Sequence, residues 1–185
     1  MLSDILLTIW LFLPAGLANM APIFAAHWRL WPALDKPIDG GRQWRGKRLF
    51  GDHKTLRGFV VGWLTALIAV LIQAWLEAVS PALKEFIYIF DYEQVNLLAW
   101  ASALSLGALG GDAIKSFFKR RAGVKPGKSW VPFDQIDYVA GTIAASLLVV
   151  QLPLRFYVIA LIAGLALHPL STFLGWLFKL KDSPI

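Results

Sequence analysis

Three carboxylates lie close to the ends of two apolar stretches in the second half of the chain. Asp112 follows the first stretch directly, and Asp134 and Asp137 precede the second. Asp134 and Asp137 are three residues apart, so on a helix they share a face. A carboxylate at a membrane boundary is costly to desolvate, which makes it a functional candidate. Because several basic residues lie between these acids, the pattern is typical of a site for a divalent metal and a polyphosphate.

The basic residues after Asp112 have a spacing that suits phosphate binding. Lys115 and Lys119 follow Asp112 by three and seven residues, so all three share one face if the helix continues. Carboxylates with basic side chains nearby can hold a nucleoside triphosphate through its magnesium. Pro132 favours a helix start just before Asp134, where free backbone N–H groups would also attract an anion.

Structural explanations of the same residues stay open. The run 119–121 could be only a positively charged cluster that fixes the orientation of a helix in the membrane. Asp112 could form an ion pair with a neighbouring basic side chain, and Asp134 and Asp137 could simply stabilise a helix start. The position of all three acids at the ends of two adjacent apolar stretches favours the metal–phosphate site.

The composition is that of a membrane protein. The 185 residues are 57% hydrophobic and 16% charged, and their mean hydropathy is +0.59. The 9 tryptophans and 12 phenylalanines are consistent with aromatic rings at the bilayer interfaces. The absence of cysteine excludes disulfides and cysteine chemistry. A net charge of +6 would suit nucleic acid in a soluble protein. Here the basic residues predict topology instead, and we expect no nucleic-acid partner.

Five apolar stretches predict an all-α integral membrane protein with about five transmembrane helices. They cover residues 5–26, 59–79, 95–111, 138–154 and 156–178, with an interruption at His168–Pro169. Residues 27–58 are polar and rich in glycine and proline, so a loop with short helical pieces is expected there. No repeat or low-complexity segment divides the chain, which predicts a single domain over residues 1–185.

The basic residues predict the topology of the chain. They concentrate in the loop after the first helix, in the loop after the third helix and at the C-terminus. Only Lys84 and Arg155 fall on the other side. By the positive-inside rule, the two basic loops are cytoplasmic and the N-terminus lies outside. The carboxylates would therefore face the cytoplasm and its nucleotides.

The acidic and basic residues between Asp112 and Asp137 belong to motifs that closely resemble those of the CDP-archaeol synthase family, which is related to the CDP-diacylglycerol synthases. The most specific part of the resemblance is a central block of Gly111-Asp112, Lys115-Ser116-Phe117, Lys119-Arg120-Arg121, Gly123, Lys125-Pro126-Gly127 and Pro132-Phe133-Asp134-Gln135-Ile136-Asp137. Further matches are Pro14-Ala15 with Asn19 and Pro22, Lys54-Thr55 with Arg57-Gly58, and His168-Pro169 followed by Leu180-Lys181. The chain departs from the family pattern at His53, Leu56 and Ser171-Thr172, and these departures spare the acidic residues.

The resemblance implies a multi-pass enzyme of the cell membrane that uses Mg²⁺ to transfer a cytidylyl group from CTP to a membrane lipid phosphate. The acceptor would be an archaeal diether glycerol phosphate or phosphatidic acid, and the products a CDP-lipid and pyrophosphate. The metal ligands implied are Asp112, Asp134 and Asp137, which with Lys115 and Lys119 form the expected catalytic set. The residues expected to bind substrate are Asn19, Lys54, Arg57, Lys115, Ser116, Lys119, Arg120 and Gln135.

The chemistry of this reaction agrees with what the chain lacks. The attacking group is a phosphate oxygen that is already anionic near pH 7, so alignment and charge neutralisation are needed rather than a general base. No Ser–His–Asp arrangement and no Walker loop can be identified in the sequence. The alternative is a non-catalytic membrane protein that binds anionic lipid or transports a small anion. The sequence leaves the oligomeric state open.

Overall fold

The computed structural model of the chain describes residues 1–124 and 130–177. Within these residues the chain forms six α-helices, one short 3-10 helix and one small antiparallel hairpin. The helices are α1 (Leu2–His27), α2 (Leu56–Val79), α3 (Pro81–Phe86), α4 (Leu97–Arg121), α5 (Phe133–Ser146) and α6 (Leu154–Leu177), with the 3-10 turn at Pro32–Leu34. The hairpin pairs β1 (Gln43–Trp44) with β2 (Lys47–Arg48).

The predicted all-α membrane fold is confirmed. Helices α1, α2 and α4 are each long and apolar enough to cross a bilayer. Helices α5 and α6 correspond to the fourth and fifth predicted spans. With 14 residues, α5 is about 21 Å long at 1.5 Å per residue, shorter than the hydrocarbon core of a bilayer. The number of five membrane crossings therefore stays a prediction.

The third predicted span ended at residue 111, and this boundary is wrong. Helix α4 continues for ten more residues to Arg121 and ends before Gly123, which has a φ of +76°. No glycine or proline interrupts the chain between Gly111 and Gly123, and basic residues in a last turn are favourable for the helix dipole. The basic residues from Lys115 to Arg121 thus lie on a helix rather than in a loop.

The boundaries of the fourth and fifth spans also differ from the prediction. Helix α5 covers Phe133–Ser146, whereas a span over 138–154 was expected. Its start beside Pro132 agrees with the predicted helix start, and its end at Ser146 lies well before Pro153, which could not have continued it. Helix α6 begins at Leu154 and continues through His168–Pro169 without the expected interruption, as prolines are tolerated in membrane helices. The predicted turn at Lys125-Pro126-Gly127 and the Leu180-Lys181 motif lie outside the described residues.

The bundle has two chemically different ends. At one end the first basic loop meets the basic C-terminal end of α4, since Lys47 Nζ donates to the carbonyl of Arg121 at 3.1 Å. At the other end, the Tyr88 hydroxyl donates to Asp4 Oδ1 at 2.5 Å, and Arg155 donates to the same hydroxyl at 3.4 Å. The chain therefore separates its basic loops from Arg155 as the sequence predicts. We call these the basic end and the N-terminal end.

The N-terminal end holds the largest buried side chains. Trp100 and Leu104 of α4, Leu7 and Leu11 of α1, and Phe156 of α6 are completely buried there. Burial of one such side chain stabilises a fold in water by about 1.5–3 kcal/mol, but within a bilayer close packing is the larger contribution. This packed half supports the more polar basic end.

Candidate active site

A cluster of charged side chains lies between α4 and α5 at the basic end. The ammonium group of Lys115 lies at its centre and contacts an oxygen of each of three carboxylates. The distances from Lys115 Nζ are 3.2 Å to Asp112 Oδ1, 2.6 Å to Asp134 Oδ1 and 3.0 Å to Asp137 Oδ2. The structure therefore brings together the three acids that the sequence singled out, although Asp134 follows Asp112 by 22 positions in the sequence.

Two more lysines complete this ionic cluster. Lys119 Nζ lies 3.1 Å and 3.0 Å from the two oxygens of Asp134, and Lys54 bonds Asp112 Oδ2 from the first loop. The lysine and aspartate side chains of these ion pairs are mostly buried, and at most 21% of any of them is exposed. Three ammonium groups thus balance three carboxylates in a partly desolvated place, where charge-assisted hydrogen bonds are strong.

Glycines let α4 and α5 approach closely enough to form the cluster. A Cβ atom on Gly111 would lie 2.3 Å from the carbonyl oxygen of Asp137, and one on Gly141 would lie 2.2 Å from that of Gly107. No other residue fits at either position without separating the helices. Gly107 and Gly111 have the Gly-x-x-x-Gly spacing of close membrane-helix packing, so this contact had a signal in the sequence.

Hydrogen bonds to Asp39 hold the first loop, residues 28–55, in a conformation that places Lys54 beside the cluster. The buried carboxylate of Asp39 accepts hydrogen bonds from the backbone N–H groups of Gly41 and Phe50, each at 3.0 Å, and from Arg48 Nη2 at 2.8 Å. Burial by itself would raise the pKa of Asp39, but these donors lower its pKa to about 2. After Lys54, the Thr55 hydroxyl caps α2 by accepting from Gly58 N at 3.2 Å.

The other expected substrate ligands lie in different surroundings. Arg57 is buried and forms an ion pair with Asp35 at 2.9 Å, so its guanidinium holds the first loop rather than the cluster. Asn19 lines a cavity beside α5. In the part of the chain that the structure describes, no hydrogen bond or ion pair joins the remaining three to the cluster: Ser116, Arg120 and Gln135.

Sequence reasoning did not find several residues that build this site. The backbone N–H of Trp130 donates to Asp134 Oδ2 at 2.5 Å, and a backbone donor carries no signal in a sequence. Asp35 and Asp39 organise the first loop, and Asp39 stands before Gly40–Gly41, a combination typical of turns. Arg121, assigned only to a basic run, stacks 3.7 Å above the Phe117 ring and donates to the carbonyls of the hairpin.

The carboxylates fit magnesium in one of its usual binding modes. Carboxylate oxygens are the hard ligands that Mg²⁺ prefers, and all three converge on one cation, the Lys115 ammonium. Among residues 1–124 and 130–177, no group of three His, Cys, Asp or Glu side chains is arranged to hold a metal ion by itself. Magnesium in nucleotide sites commonly takes only one or two protein carboxylates, with phosphates and waters as its other ligands. The cluster suits a magnesium–nucleotide complex better than a bare metal.

Comparisons with known proteins agree with one another. The CarS-like CDP-archaeol synthase family model matches residues 1–185. The CDP-archaeol synthase of Halorubrum lacusprofundi is 41% identical over 74% of this chain and 69% of the relative. Those of Methanosarcina barkeri and Halobacterium salinarum are 34% and 33% identical, covering 93% and 100% of this chain and 99% and 98% of the relatives.

A solved structure is also similar. It is described as an intramembrane enzyme for archaeal membrane lipid biosynthesis, and it superposes with a TM-score of 0.67 at 30% sequence identity. The similarity covers 88% of this chain and 90% of that one. The likeness therefore extends over most of the fold.

Proposed function

Because the chain belongs to the CDP-archaeol synthase family, we propose that it transfers the cytidylyl group of CTP to an archaeal lipid phosphate in the membrane. The products are a CDP-lipid and pyrophosphate. The observation that carries this proposal is the ionic cluster, in which Lys115 lies within 3.2 Å of three carboxylates and two further lysines adjoin it. Such a site can accept a polyphosphate together with its cation.

The reaction is a substitution at phosphorus. An oxygen of the lipid phosphate forms a bond to the α-phosphorus of CTP, the bond from that phosphorus to the bridging oxygen breaks, and pyrophosphate leaves with the electron pair. The nucleophile is already ionised near neutral pH, since a phosphate monoester loses its second proton at about pH 6. No side chain has to remove a proton, and the protein's contribution is alignment and neutralisation of charge.

The lysines are suited to the phosphate groups. Lys115 and Lys119 project from one face of α4, and Lys54 reaches the cluster from the first loop. Their ammonium groups would donate to oxygens of the triphosphate and of the lipid phosphate and hold the two reactants together. One or two of the carboxylates of Asp112, Asp134 and Asp137 would hold the Mg²⁺, which when bound would neutralise the triphosphate and the charge that develops on the leaving pyrophosphate.

The proposed orientation places the cluster at the cytoplasmic surface with the N-terminus outside. It rests on the separation of charges along the bundle, since the basic loops share one end and Arg155 contacts the N-terminal end. Cytoplasmic loops of membrane proteins carry the excess of lysine and arginine. CTP would therefore enter from the water and the lipid phosphate from the cytoplasmic leaflet.

The non-catalytic alternative explains the structure less well. A site that only binds anionic lipid or passes a small anion benefits from a surplus of positive charge. Here the three central lysines are neutralised by three aspartates within hydrogen-bonding distance. Such acids would repel an anion, unless a metal ion accompanies it. The balanced cluster therefore favours an enzyme that uses a metal–nucleotide complex.

The test is the reaction of the purified protein in detergent. Given CTP, magnesium and an unsaturated archaeal diether glycerol phosphate, it should release pyrophosphate and form a CDP-lipid, and a chelator should stop both. Phosphatidic acid is tested in parallel, because the residues of the cluster recognise phosphate and do not distinguish ether from ester links. The assignment would be refuted if the protein bound lipid but released no pyrophosphate in a metal-dependent way with any of a broad panel of lipid phosphates. That result would favour the non-catalytic alternative.

A further inference from the structure

A groove of about 200 Å³ lies beside the ionic cluster and has no part in the chemistry described above. It runs between α1 and α6, with α5 behind it, and we call it the α1–α6 groove. Its lining includes one side of α1 from Thr8 to Met20, Tyr138 and Thr142 of α5, and Ala160 and Ala163 of α6.

The interior of the groove is apolar. Thr8 and Thr142 each use their hydroxyl to donate to a carbonyl of their own helix, at 2.6 Å to Asp4 and at 2.7 Å to Tyr138. Small residues such as Gly16 and Ala163 leave the space open, and a Cβ atom on Gly16 would meet nothing within 4 Å. The groove therefore suits hydrocarbon and offers little to a nucleotide.

One wall of the groove faces the bilayer. Ile9, Leu13 and Leu17 of α1 line it, and each is 38–41% exposed. Their spacing of four residues sets them in a row along the helix. Part of each of these side chains is therefore open to the surroundings of the bundle. A lipid chain could enter from the side without passing through water.

The groove adjoins the ionic cluster. Tyr138 lines the groove, and Asp137, the residue before it, contacts Lys115. The two features thus occupy neighbouring faces of α5 near its first turns. Asn19, toward the end of α1 that leads to the basic loop, also lines the groove and adds a polar group there. A lipid whose phosphate lies in the cluster would have its chains close to this opening.

The dimensions of the groove fit one chain of a lipid. From Thr8 to Met20 it extends about 18 Å along α1, comparable with the depth of about 15 Å of one hydrocarbon leaflet. Its volume is below the roughly 300 Å³ at which pockets for drug-sized molecules begin, so the open groove takes up part of a single chain and has no room for a second.

We propose that the α1–α6 groove binds one hydrocarbon chain of the acceptor lipid while the lipid's phosphate lies in the ionic cluster. The inference rests on the proposed function and assigns the lipid a place within the same site. Chain binding anchors the acceptor at a fixed depth, so that its phosphate is presented to CTP in one orientation. The second chain remains among the bilayer lipids.

A substitution that fills the groove tests this proposal. Gly16→Leu places a side chain in the open space of the groove. Gly110→Leu is the matched control, because a Cβ atom there also meets nothing within 4 Å and Gly110 does not line the groove. For a long-chain acceptor, Gly16→Leu should raise KM about tenfold, the effect of losing contact with a few methylene groups, and should leave KM for CTP unchanged. Ala163→Leu, from the opposite wall, should act in the same direction.

A second measurement keeps the groove separate from the enzymatic assignment. A lipid phosphate with a photoreactive diazirine near the middle of its chain is crosslinked to the wild-type protein, without CTP, and the labelled peptides are mapped by mass spectrometry. We expect labels within residues 8–20 of α1, and their loss in Gly16→Leu but not in Gly110→Leu.

The possible outcomes decide between the two proposals. Labels spread over the bilayer-facing surface, or unchanged KM values in both groove variants, would overturn the chain site even if CDP-lipid forms normally. Labels confined to the groove in a protein that forms no CDP-lipid would support the lipid site and refute the proposed reaction. Equal labelling of the groove by a phosphate-free lipid would show a site for bulk membrane lipid and so overturn acceptor binding.

Discussion

Replacing Gly111 by alanine adds one methyl group at the closest contact between the two helices of the ionic cluster. That methyl carbon would lie 2.3 Å from the carbonyl oxygen of Asp137, far inside the 3.0 Å below which such contacts are essentially never seen. The atoms that this methyl group would meet belong to the backbone of Asp137 and Gly141 in α5, and a helix backbone cannot move aside as a flexible side chain would. Helices α4 and α5 have to separate by about 1 Å, with an overpacking cost of about 1–3 kcal/mol.

The separation acts directly on the cluster. Lys115 is carried by α4 and Asp137 by α5, and the 3.0 Å between Nζ and Oδ2 would become about 4 Å. A displacement of 1 Å in a catalytic arrangement can lower a rate by about a hundredfold. We therefore expect Gly111→Ala to lower the turnover of CTP to CDP-lipid by about two orders of magnitude at saturating substrates.

The neighbouring glycine supplies the control. A Cβ atom on Gly110 meets nothing within 4 Å, so Gly110→Ala should keep full activity and gain up to about 1 kcal/mol from helix propensity. Activity is measured by release of labelled pyrophosphate, and folding by the elution profile and thermal stability in detergent. Full activity in Gly111→Ala, or equal losses in both variants, would refute the reasoning that this contact sets the geometry of the cluster.

Further substitutions and conditions test other parts of the site. Replacing Asp112, Asp134 or Asp137 singly by asparagine should lower turnover about a hundredfold or more with little change in folded yield. Near-normal turnover in two of these three variants would contradict the metal assignment. Lys54→Ala should lower activity, because its ammonium bonds the cluster, whereas Arg57→Ala should chiefly lower thermal stability, because its partner is a loop carboxylate. Cysteines placed at Arg42 and at Tyr88 should react with membrane-impermeant reagents from opposite sides, Arg42 from the cytoplasm. Because the folded pKa of Asp39 is about 2, below its usual 3.8, its stabilising effect is present above pH 4 and lost as the pH falls toward 2. Thermal stability should therefore fall over that range in the wild type and less in Asp39→Asn, which is already destabilised at pH 7.

The sequence predicted the parts of the fold that depend on composition. Long apolar runs with few charges predict membrane helices, and each of the five predicted runs overlaps a helix of the described residues. The boundaries were less accurate where polar residues continue a helix beyond its apolar part. Helix α4 continues past Gly111 because hydropathy reports where the bilayer ends, whereas the helix ends where glycine interrupts the backbone at Gly123.

The candidate site was predicted unevenly for a similar reason. The face shared by Asp112, Lys115 and Lys119 follows from helical periodicity, and in the structure all three lie on α4, with Lys115 paired to Asp112 and Lys119 to Asp134. Periodicity cannot say which other elements approach that face, so the assignment of Lys54 to the site followed only from the family resemblance, and its ion pair with Asp112 was not predicted. Arg57 was placed with Lys54 on the same grounds, but the structure pairs it with Asp35 in the loop.

The balance of charge in the cluster bears on the order of events at the site. Without substrates, the three lysines satisfy the three aspartates, and the site is close to neutral. A triphosphate that arrived alone would add about four negative charges beside these carboxylates, and in a partly buried place that repulsion is weakly screened. A nucleotide that arrives with its magnesium brings much of its own compensation and releases the lysines to bind phosphate. We therefore expect CTP to enter as its metal complex, and CTP binding to depend on magnesium even when no lipid acceptor is present.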